Sequence, residues 1–280
     1  MNIMTKYIPP KETNVSGVIY LPNGVVMDNE LFEPTPLFDD LYFFGTKFVG
    51  ALVIKTDEGL VMIDSMQCSQ DVEDIVIPSM KKMGLDPADI KTVIITHGHF
   101  DHFGGAKYLR DKFGCRVMMT KTDEDFMPTC EAPEPYRPME FPKVDEYLED
   151  GSVVKVGQTE FKIMITPGHT PGCISLVFPV HENGEEHKVA VWGGTGLPDS
   201  DEDNVSFLES AKRFMAFCQE EHADVEFSVH PFVDCSIDKM EALRERREGE
   251  PNPLVIGEAY VRLFMECCII NIENRLQSVK

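Results

Sequence analysis

The most constraining feature of this sequence is a cluster of metal-ligand side chains directly after a buried strand. The apolar run from Thr92 to Ile95 is typical of such a strand. Directly after it, three histidines and one aspartate occupy a fixed HxHxDH frame: His97, His99, Asp101 and His102. Imidazole and carboxylate suit zinc and related divalent cations. The chain is therefore expected to fold around a metal site at a strand end, where α/β proteins place their ligands.

Two further histidines are candidate ligands because each is expected at the end of another strand. His169 lies in the segment TPGHTPG, where two prolines and two glycines set a tight turn. A rigid loop of this kind pre-organises a ligand. His230 lies 61 residues further on, in SVHPF. The remaining three histidines, at 181, 187 and 222, are expected to be solvated side chains.

Charge and composition exclude several classes of partner. The 280 residues include 26 basic and 48 acidic side chains, which gives a formal net charge of −22. Binding to nucleic acid or to an anionic membrane surface needs clustered Lys and Arg, so neither partner is expected. The expected partner is a small-molecule substrate, and the oligomeric state stays open.

The first residues, MNIMTKYIPPKETNVSG, contain no apolar segment of the kind found in secretory signals. Runs of 18 apolar residues are absent from the sequence. The eight cysteines are dispersed and are expected to be free thiols. These features favour a cytoplasmic location.

The pattern of strands and helices predicts one domain, residues 1–280, built from two halves rich in both elements. An N-terminal arm, 1–36, precedes the first strands. The expected strands are 42–44, 50–55, 60–63, 92–95, 153–156, 161–165, 174–178, 189–192 and 225–229. The expected helices are 71–83, a helix after Gly105 that ends at Gly114, 204–221 with Asn204 as N-cap, and the C-terminal helices 237–247 and 257–277.

Residues 121–150 interrupt this pattern. They contain five prolines and ten acidic residues, so regular structure is not expected there. Long irregular loops in compact domains are often exposed connections, and others cover an active site. The segment is therefore a candidate active-site lid.

With these motifs in place, the sequence resembles the metallo-β-lactamase superfamily over roughly residues 37 to 270. Within it, the chain is similar to the subclass whose second zinc is held by Asp, His and His. The resemblance implies an α/β (α+β) fold, a four-layer αββα sandwich with two zinc ions between the sheets at one edge. It also implies that His97, His99 and His169 bind the first zinc, whereas Asp101, His102 and His230 bind the second.

Other members of the superfamily fit less well. Flavodiiron oxidoreductases carry Glu where Gly98 stands. Glyoxalase-II-like thioesterases and N-acyl homoserine lactonases have an Asp that bridges the metals after the strand ending here at Trp192. This chain has Gly-Gly-Thr-Gly at that place, with no carboxylate before Asp199.

Two more residues are candidates for the site, and the first of them, Asp64, corresponds to a position of the superfamily. Asp64, in VMIDS, is expected to orient ligands or their loop rather than to bind a metal. A structural role as a turn residue at the strand end is the alternative. Thr195, within the glycine-rich turn, is a candidate substrate contact.

The expected activity is zinc-dependent hydrolysis of an amide or ester bond, most simply a cyclic lactam or lactone, by a metal-activated hydroxide. Asp101 would hold or relay the proton. The alternatives are a thioesterase of the glyoxalase-II type and an iron-dependent oxidoreductase of the persulfide-dioxygenase type. Two Zn²⁺ per chain are expected, with iron or manganese as alternative metals. Since one fold hosts many substrates, the resemblance alone does not identify the substrate.

Overall fold

Two stacked β-sheets form the centre of the molecule. The structure is a computed structural model that describes residues 18–20, 26–134 and 136–278. In chain order the strands are β1 (Val18–Tyr20), β2 (Val26–Asp28), β3 (Leu31–Pro36), β4 (Leu41–Thr46), β5 (Gly50–Thr56), β6 (Gly59–Ile63), β7 (Ile90–Ile94), β8 (Arg116–Met119), β9 (Glu146–Tyr147), β10 (Val153–Val156), β11 (Thr159–Ile165), β12 (Ile174–Glu182), β13 (Glu185–Val191) and β14 (Val225–Glu226).

Helices connect and flank these strands. The α-helices are α1 (Ser69–Asp71), α2 (Ile77–Lys82), α3 (Phe100–Phe103), α4 (Ala106–Phe113), α5 (Lys121–Phe126), α6 (Asp201–Glu220), α7 (Ser236–Glu245) and α8 (Glu258–Ser278). A π-helical turn covers Val72–Val76, and 3-10 turns cover Pro87–Asp89 and Met127–Thr129. Among the described helices, none is both long and apolar enough to span a bilayer.

The strand order divides the chain into two halves. The first sheet runs β3 to β9 in sequence order, antiparallel up to β6 and parallel from β6 to β9. The second runs β10 to β14, with the single parallel pair between β13 and β14. The parallel pairs need helical crossovers, which supply the outer layers.

Three apolar clusters separate four layers. Between the sheets lie fully buried side chains from both, such as Phe43 and Leu52 from the first and Leu176 from the second. The outer face of the first sheet packs against α2 and α4, through Met80 and Leu109. The outer face of the second sheet packs against α6 and α8. This arrangement confirms the expected four-layer αββα sandwich.

The helix expected over 71–83 is divided into three short parts. A π-helical turn joins α1 to α2, and Pro78 lies at the N-terminal end of α2. A proline lacks the backbone N–H that an uninterrupted helix would use, and it is tolerated in a first turn for that reason. The helical hydrogen-bonding pattern therefore changes from π to α just before Pro78.

The expectation of no regular structure over 121–150 is wrong. This segment contains α5, a 3-10 turn and β9, which adds an edge strand to the first sheet. Thr120 is the N-cap of α5, and its hydroxyl accepts from the backbone N–H of Asp123 at 3.2 Å. The capping threonine and the acidic residues Asp123 and Glu124 in the first turn favour a helix here, and the first proline of the stretch comes only at position 128.

Two boundaries in the second half also differ from expectation. Helix α6 begins three residues earlier than predicted, with Ser200 rather than Asn204 as N-cap. Asn204 is buried inside the helix, where its amide donates to the carbonyls of Pro198 and Ser200. The strand expected over 225–229 ends at Glu226, so His230 lies on a loop rather than at the strand end.

The N-terminal segment 1–36 is only partly within the described residues. Residues 1–17 and 21–25 lie outside them. The last six residues of the expected arm form β3, an edge strand that pairs with β4. This part of the arm therefore belongs to the first sheet.

A buried acidic pair beside the His230 loop leads to a stability prediction. Glu226 is 2% exposed, one of its oxygens has no hydrogen-bond partner, and the other lies 3.8 Å from the Lys239 ammonium, which also serves Asp234. Burial, and then the Asp234 charge, raise the pKa of Glu226 well above its usual value. The folded chain thus retains a proton that the unfolded chain loses above about pH 4.5. This contribution to stability declines as pH rises toward the folded-state pKa.

We expect Glu226→Gln, which mimics the protonated acid, to raise the free energy of unfolding at pH 8 by about 1 kcal/mol and to change it little at pH 5. Urea unfolding at both pH values measures this. Glu221→Gln provides a control for which the expected change in the free energy of unfolding at pH 8 has the opposite sign. Its carboxylate accepts from Lys162 at 2.6 Å, and that bond holds the pKa of Glu221 below its usual value against the effect of burial. A loss of stability for Glu226→Gln at pH 8 would contradict the argument.

Candidate metal centre

The HxHxDH segment presents its ligands in two directions because a helix begins inside it. Strand β7 ends at Ile94, and His97 and His99 follow in a loop. His99 is in the extended conformation and directly precedes α3. Asp101 and His102 lie within that helix, so their side chains leave the backbone on a different side. His97, Asp101 and His102 are buried, and His99 is partly buried.

His169 is positioned by the turn between β11 and β12. Its Nδ1–H donates to the carbonyl of Gly196 at 2.7 Å, so Nε2 carries a lone pair, which faces His99 Nδ1 at 3.0 Å. Gly168 has φ of 139°, and a Cβ there would lie 2.5 Å from the Phe207 backbone. Both the close contact and the backbone conformation require glycine directly before His169.

His230 is positioned from the opposite half of the molecule. Its Nδ1–H donates to the backbone carbonyl of Phe48 at 2.8 Å, and the Phe48 ring lies 5.0 Å from the imidazole. The loop that carries it is closed by Asp234, whose Oδ2 accepts from the backbone N–H of Ser228 at 2.9 Å. Phe232, half exposed, stacks on Phe48 at 5.9 Å beside the histidine.

These elements bring the six side chains into two groups of three. Within each group the ligand atoms lie within 4.8 Å of one another. We call them group 1 and group 2. The rings of His97 and His102, one from each group, are 3.8 Å apart, so the groups are adjacent. The members are His97, His99 and His169 in group 1, and Asp101, His102 and His230 in group 2.

The pattern of hydrogen bonds fits a cation between these side chains. His102 Nδ1–H donates to Asp64 and His230 Nδ1–H donates to a carbonyl, so in the neutral rings both Nε2 atoms are acceptors. They face each other at 3.1 Å. Two lone pairs at that distance repel unless a proton or a cation lies between them.

Group 1 contains a similar unsatisfied atom. The Thr96 hydroxyl donates to Asp64 at 2.8 Å, so it accepts from His97 Nδ1 at 3.0 Å. His97 Nε2 is therefore a lone pair, and it is buried with no hydrogen-bond partner. A buried polar atom without a partner is costly, and a bound metal ion would satisfy it. The side chains present thus fit divalent cations in both groups.

The histidines of group 1 stay neutral at physiological pH. Burial, and then the neighbouring histidines, lower the pKa of His97 well below its usual value. Burial lowers the pKa of His99 to about 4, although Asp101 opposes the change. Burial also lowers the pKa of His169 to about 3. Neutral imidazole is the form that binds a metal ion.

Group 2 carries the carboxylate. Burial would raise the pKa of Asp101, but the charges of His102 and His230 outweigh it and hold that pKa below its usual range. Burial lowers the pKa of His230. For His102 burial acts in the same direction, yet Asp64 and Asp101 together raise its pKa. Asp101 Oδ2 lies 3.7 Å from His102 Nε2 and 3.6 Å from His230 Nε2.

Asp64 lies behind the ligands rather than among them. It is fully buried at the end of β6, and its Oδ2 accepts from His102 Nδ1–H at 2.7 Å. Its other oxygen accepts from the backbone N–H of Thr96 at 2.7 Å. Through the Thr96 hydroxyl it also determines which nitrogen of His97 carries the proton. One carboxylate therefore sets the tautomers of a ligand in each group.

The glycine-rich turn covers His169. A Cβ at Gly194 would lie 2.4 Å from the His169 Cβ, and one at Gly196 would lie 2.9 Å from Cε1. Thr195 lies between these glycines and is partly exposed. The turn is thus too close to the imidazole to accommodate larger residues at either glycine.

The other three histidines pair with acids away from this centre: His181 with Asp40, His187 with Asp224 and His222 with Glu258. Two contributors to the site were not anticipated. Phe48 acts through its backbone carbonyl, which leaves no pattern in a sequence. Asp123 accepts from the backbone N–H of Gly98 at 2.7 Å. In the sequence, the available indication of this role was its position three residues after Thr120, which caps α5.

Comparisons with known proteins agree with this geometry. Residues 45–182 match the family model described as the metallo-beta-lactamase superfamily. The subclass B3 metallo-beta-lactamase BJP-1 of Bradyrhizobium japonicum superposes with a TM-score of 0.72 and 27% identity, over 89% of this chain and 96% of that one. FEZ-1 from Legionella gormanii shares the fold, with a TM-score of 0.76 and 23% identity, over 89% of this chain and 97% of that one.

Curated relatives carry other names. The hydroxyacylglutathione hydrolase GloC of Haemophilus influenzae is 29% identical over 131 residues, 45% of this chain and 61% of that protein. A hydroxyacylglutathione hydrolase of a Bradyrhizobium strain is 32% identical over 101 residues, 36% of this chain and 34% of that protein. The chain thus spans less than two thirds of the length of either relative. On the family model, the fold and the grouping of the six side chains, the chain belongs to the metallo-β-lactamase superfamily.

Proposed function

We propose that this protein is a zinc-dependent hydrolase that opens an amide or ester bond, most simply that of a cyclic lactam or lactone. The observation that carries the proposal is the pair of adjacent ligand groups, in which Asp101 supplies the only carboxylate among the described ligands. Group 1 would hold one zinc ion and group 2 a second. The side chains argue against a mononuclear iron site, because the second group has three converging ligands of its own.

Bound divalent cations at such a site supply a Lewis acid and lower the pKa of a coordinated water from about 15.7 toward about 7. The chain's own residues set the charge around them. Burial keeps the group 1 histidines in the neutral form that binds a metal ion, and imidazole, unlike carboxylate, adds no negative charge beside the substrate carbonyl. Asp101 is ionised, and its carboxylate oxygens can accept the proton released from the attacking water. No serine or cysteine nucleophile is needed.

A thioester substrate is the second candidate, and the names of the curated relatives favour it. The turn from Gly193 to Gly196 favours the first candidate. In the thioesterases that the sequence resembles, this turn carries a metal-bridging aspartate, and here it carries none. A Cβ at Gly194 would lie 2.4 Å from the His169 Cβ, so a carboxylate at that position would require the turn or His169 to shift.

Four further parts of the proposal concern the surroundings of the site, the domain organisation and the location of the protein. Thr195 is proposed to contact substrate, and the 121–150 segment to act as a lid, since the Phe126 ring lies 5.7 Å from His99. Residues 1–280 are proposed to form one domain. The eight cysteines are all free, which supports a cytoplasmic location.

A substrate panel tests the proposed function. The zinc-loaded full chain is assayed with β-lactams, acyl homoserine lactones and acylglutathione thioesters under identical conditions. We expect the highest kcat/KM for a cyclic lactam or lactone. A preference for thioesters of 10-fold or more would favour the second candidate. A 10-fold preference corresponds to ~1.4 kcal/mol of differential transition-state binding. Absence of turnover for all three classes in protein that retains zinc would contradict a hydrolase of this kind.

A further inference from the structure

Asp123 is not a metal ligand, yet its carboxylate joins the two loops that carry group 1. It is fully buried in the first turn of α5. One oxygen, Oδ2, accepts from the backbone N–H of Gly98 at 2.7 Å, between His97 and His99. The same oxygen accepts from the Thr170 hydroxyl at 2.6 Å, next to His169.

The second oxygen completes the connection. Asp123 Oδ1 accepts from the backbone N–H of Gly172 at 2.6 Å, so both carboxylate oxygens are hydrogen-bonded. Thr120 reinforces the contact, because its hydroxyl donates to the Gly172 carbonyl at 2.8 Å. The start of α5 thus contacts the backbone of the His169 loop through both a donor and an acceptor.

The loops can approach α5 only because glycines lie at the contact. A Cβ at Gly98 would lie 2.8 Å from the Asp123 carbonyl oxygen. A Cβ at Gly172 would lie 2.3 Å from the Thr120 hydroxyl and 2.7 Å from the Asp123 backbone nitrogen. All three distances are shorter than real Cβ contacts, so the backbone of each loop is fitted closely to this helix.

We propose that Asp123 is a positioning residue for group 1, which sets the separation between the loop of His97 and His99 and the loop of His169. The inference rests on the proposed function, since it assumes that group 1 binds a metal ion. Among the described residues, the side-chain hydrogen bonds of Asp123 go to residues 98, 170 and 172 and to none of the group 2 loops. Gly98 also lies three residues before Asp101, so we expect the main influence of Asp123 on metal affinity at group 1 and a smaller one at group 2.

Asparagine at position 123 isolates this role. It has nearly the same volume, but it offers one acceptor oxygen in place of two, and its amide N–H groups would face a backbone N–H. Removing an outer partner of a metal ligand costs roughly 10- to 100-fold in metal affinity. The backgrounds His230→Ala and His169→Ala leave only group 1 or only group 2 intact, which allows the two affinities to be measured separately.

The experiment is a calorimetric titration of the metal-free full chain with Zn²⁺. We expect Asp123→Asn to weaken zinc binding by roughly 10- to 100-fold in the His230→Ala background and by less than about 3-fold in the His169→Ala background. Equal weakening in both backgrounds would overturn the inference, because it would show a general structural effect. Unchanged affinity in the His230→Ala background would overturn it as well. If the unsubstituted chain binds no zinc, the proposed function itself fails.

Two further variants keep the test decisive. Asp125→Asn makes the same change on the same helix at an exposed carboxylate paired with Lys121, and it should leave both affinities unchanged. Thr170→Val removes only the hydroxyl that donates to Asp123, so it applies if Asp123→Asn does not fold. We expect a smaller loss of zinc affinity in the His230→Ala background, and no loss there would also overturn the inference.

Discussion

Replacement of His97 by alanine is expected to remove bound zinc and hydrolytic activity together. Its Nε2 is buried and has no hydrogen-bond partner among the described residues, so this atom is available to bind a metal ion. Its ring also lies 3.8 Å from that of His102, next to group 2. Activity should fall by more than the roughly 10- to 100-fold that loss of an outer partner costs. Zinc content by mass spectrometry and kcat/KM on the same preparation measure the effect.

The matched control for this prediction is His222→Ala. His222 is exposed and pairs with Glu258 at 3.3 Å, and neither residue belongs to a ligand group. It should retain full zinc content and activity. A His97→Ala protein that lost zinc yet hydrolysed substrate at the wild-type rate would refute metal-dependent hydrolysis.

The second large effect is expected for Asp64→Asn. Asp64 has φ of 59°, a left-handed conformation that asparagine also tolerates, so the backbone should be retained. The amide N–H would face His102 Nδ1 and favour the tautomer with the proton on Nε2, the atom needed as ligand. We expect a roughly 10- to 100-fold loss of zinc affinity, measured by competition with a chelator.

Asp40→Asn is the matched control for that substitution. Asp40 accepts from the Nδ1 of His181 at 2.7 Å, which reproduces the carboxylate–histidine pair at an exposed position. Zinc affinity should be unchanged in this variant. If Asp64→Asn also leaves zinc affinity unchanged, Asp64 does not set the orientation of His102.

The six candidate ligands could be picked out from the sequence because their chemistry and spacing are local, and the structure brings them into two groups. His97, His99, Asp101 and His102 lie within six consecutive residues, and His169 and His230 stand in short segments rich in turn residues. The alternation of apolar segments likewise predicted both sheets and the outer helices. Their exact ends depended on caps, as shown by Ser200, which starts α6 in place of Asn204.

The residues behind the ligands could not be predicted in the same way. Asp123 acquires its role only when the loops at Gly98 and Gly172 meet α5, and these positions are far apart in sequence. The Phe48 carbonyl reaches His230 across 182 positions. Such contacts arise from tertiary packing, whereas a single sequence reports mainly local periodicity and turn chemistry.

The central claim is that two adjacent groups of side chains hold two zinc ions per chain. Metal analysis of the full chain purified from its native host, by inductively coupled plasma mass spectrometry, tests it most directly. We predict about two equivalents of zinc in the unsubstituted chain and about one in His230→Ala, because group 1 keeps its three histidines. About one equivalent of iron with little zinc, unchanged by His230→Ala, would contradict the account.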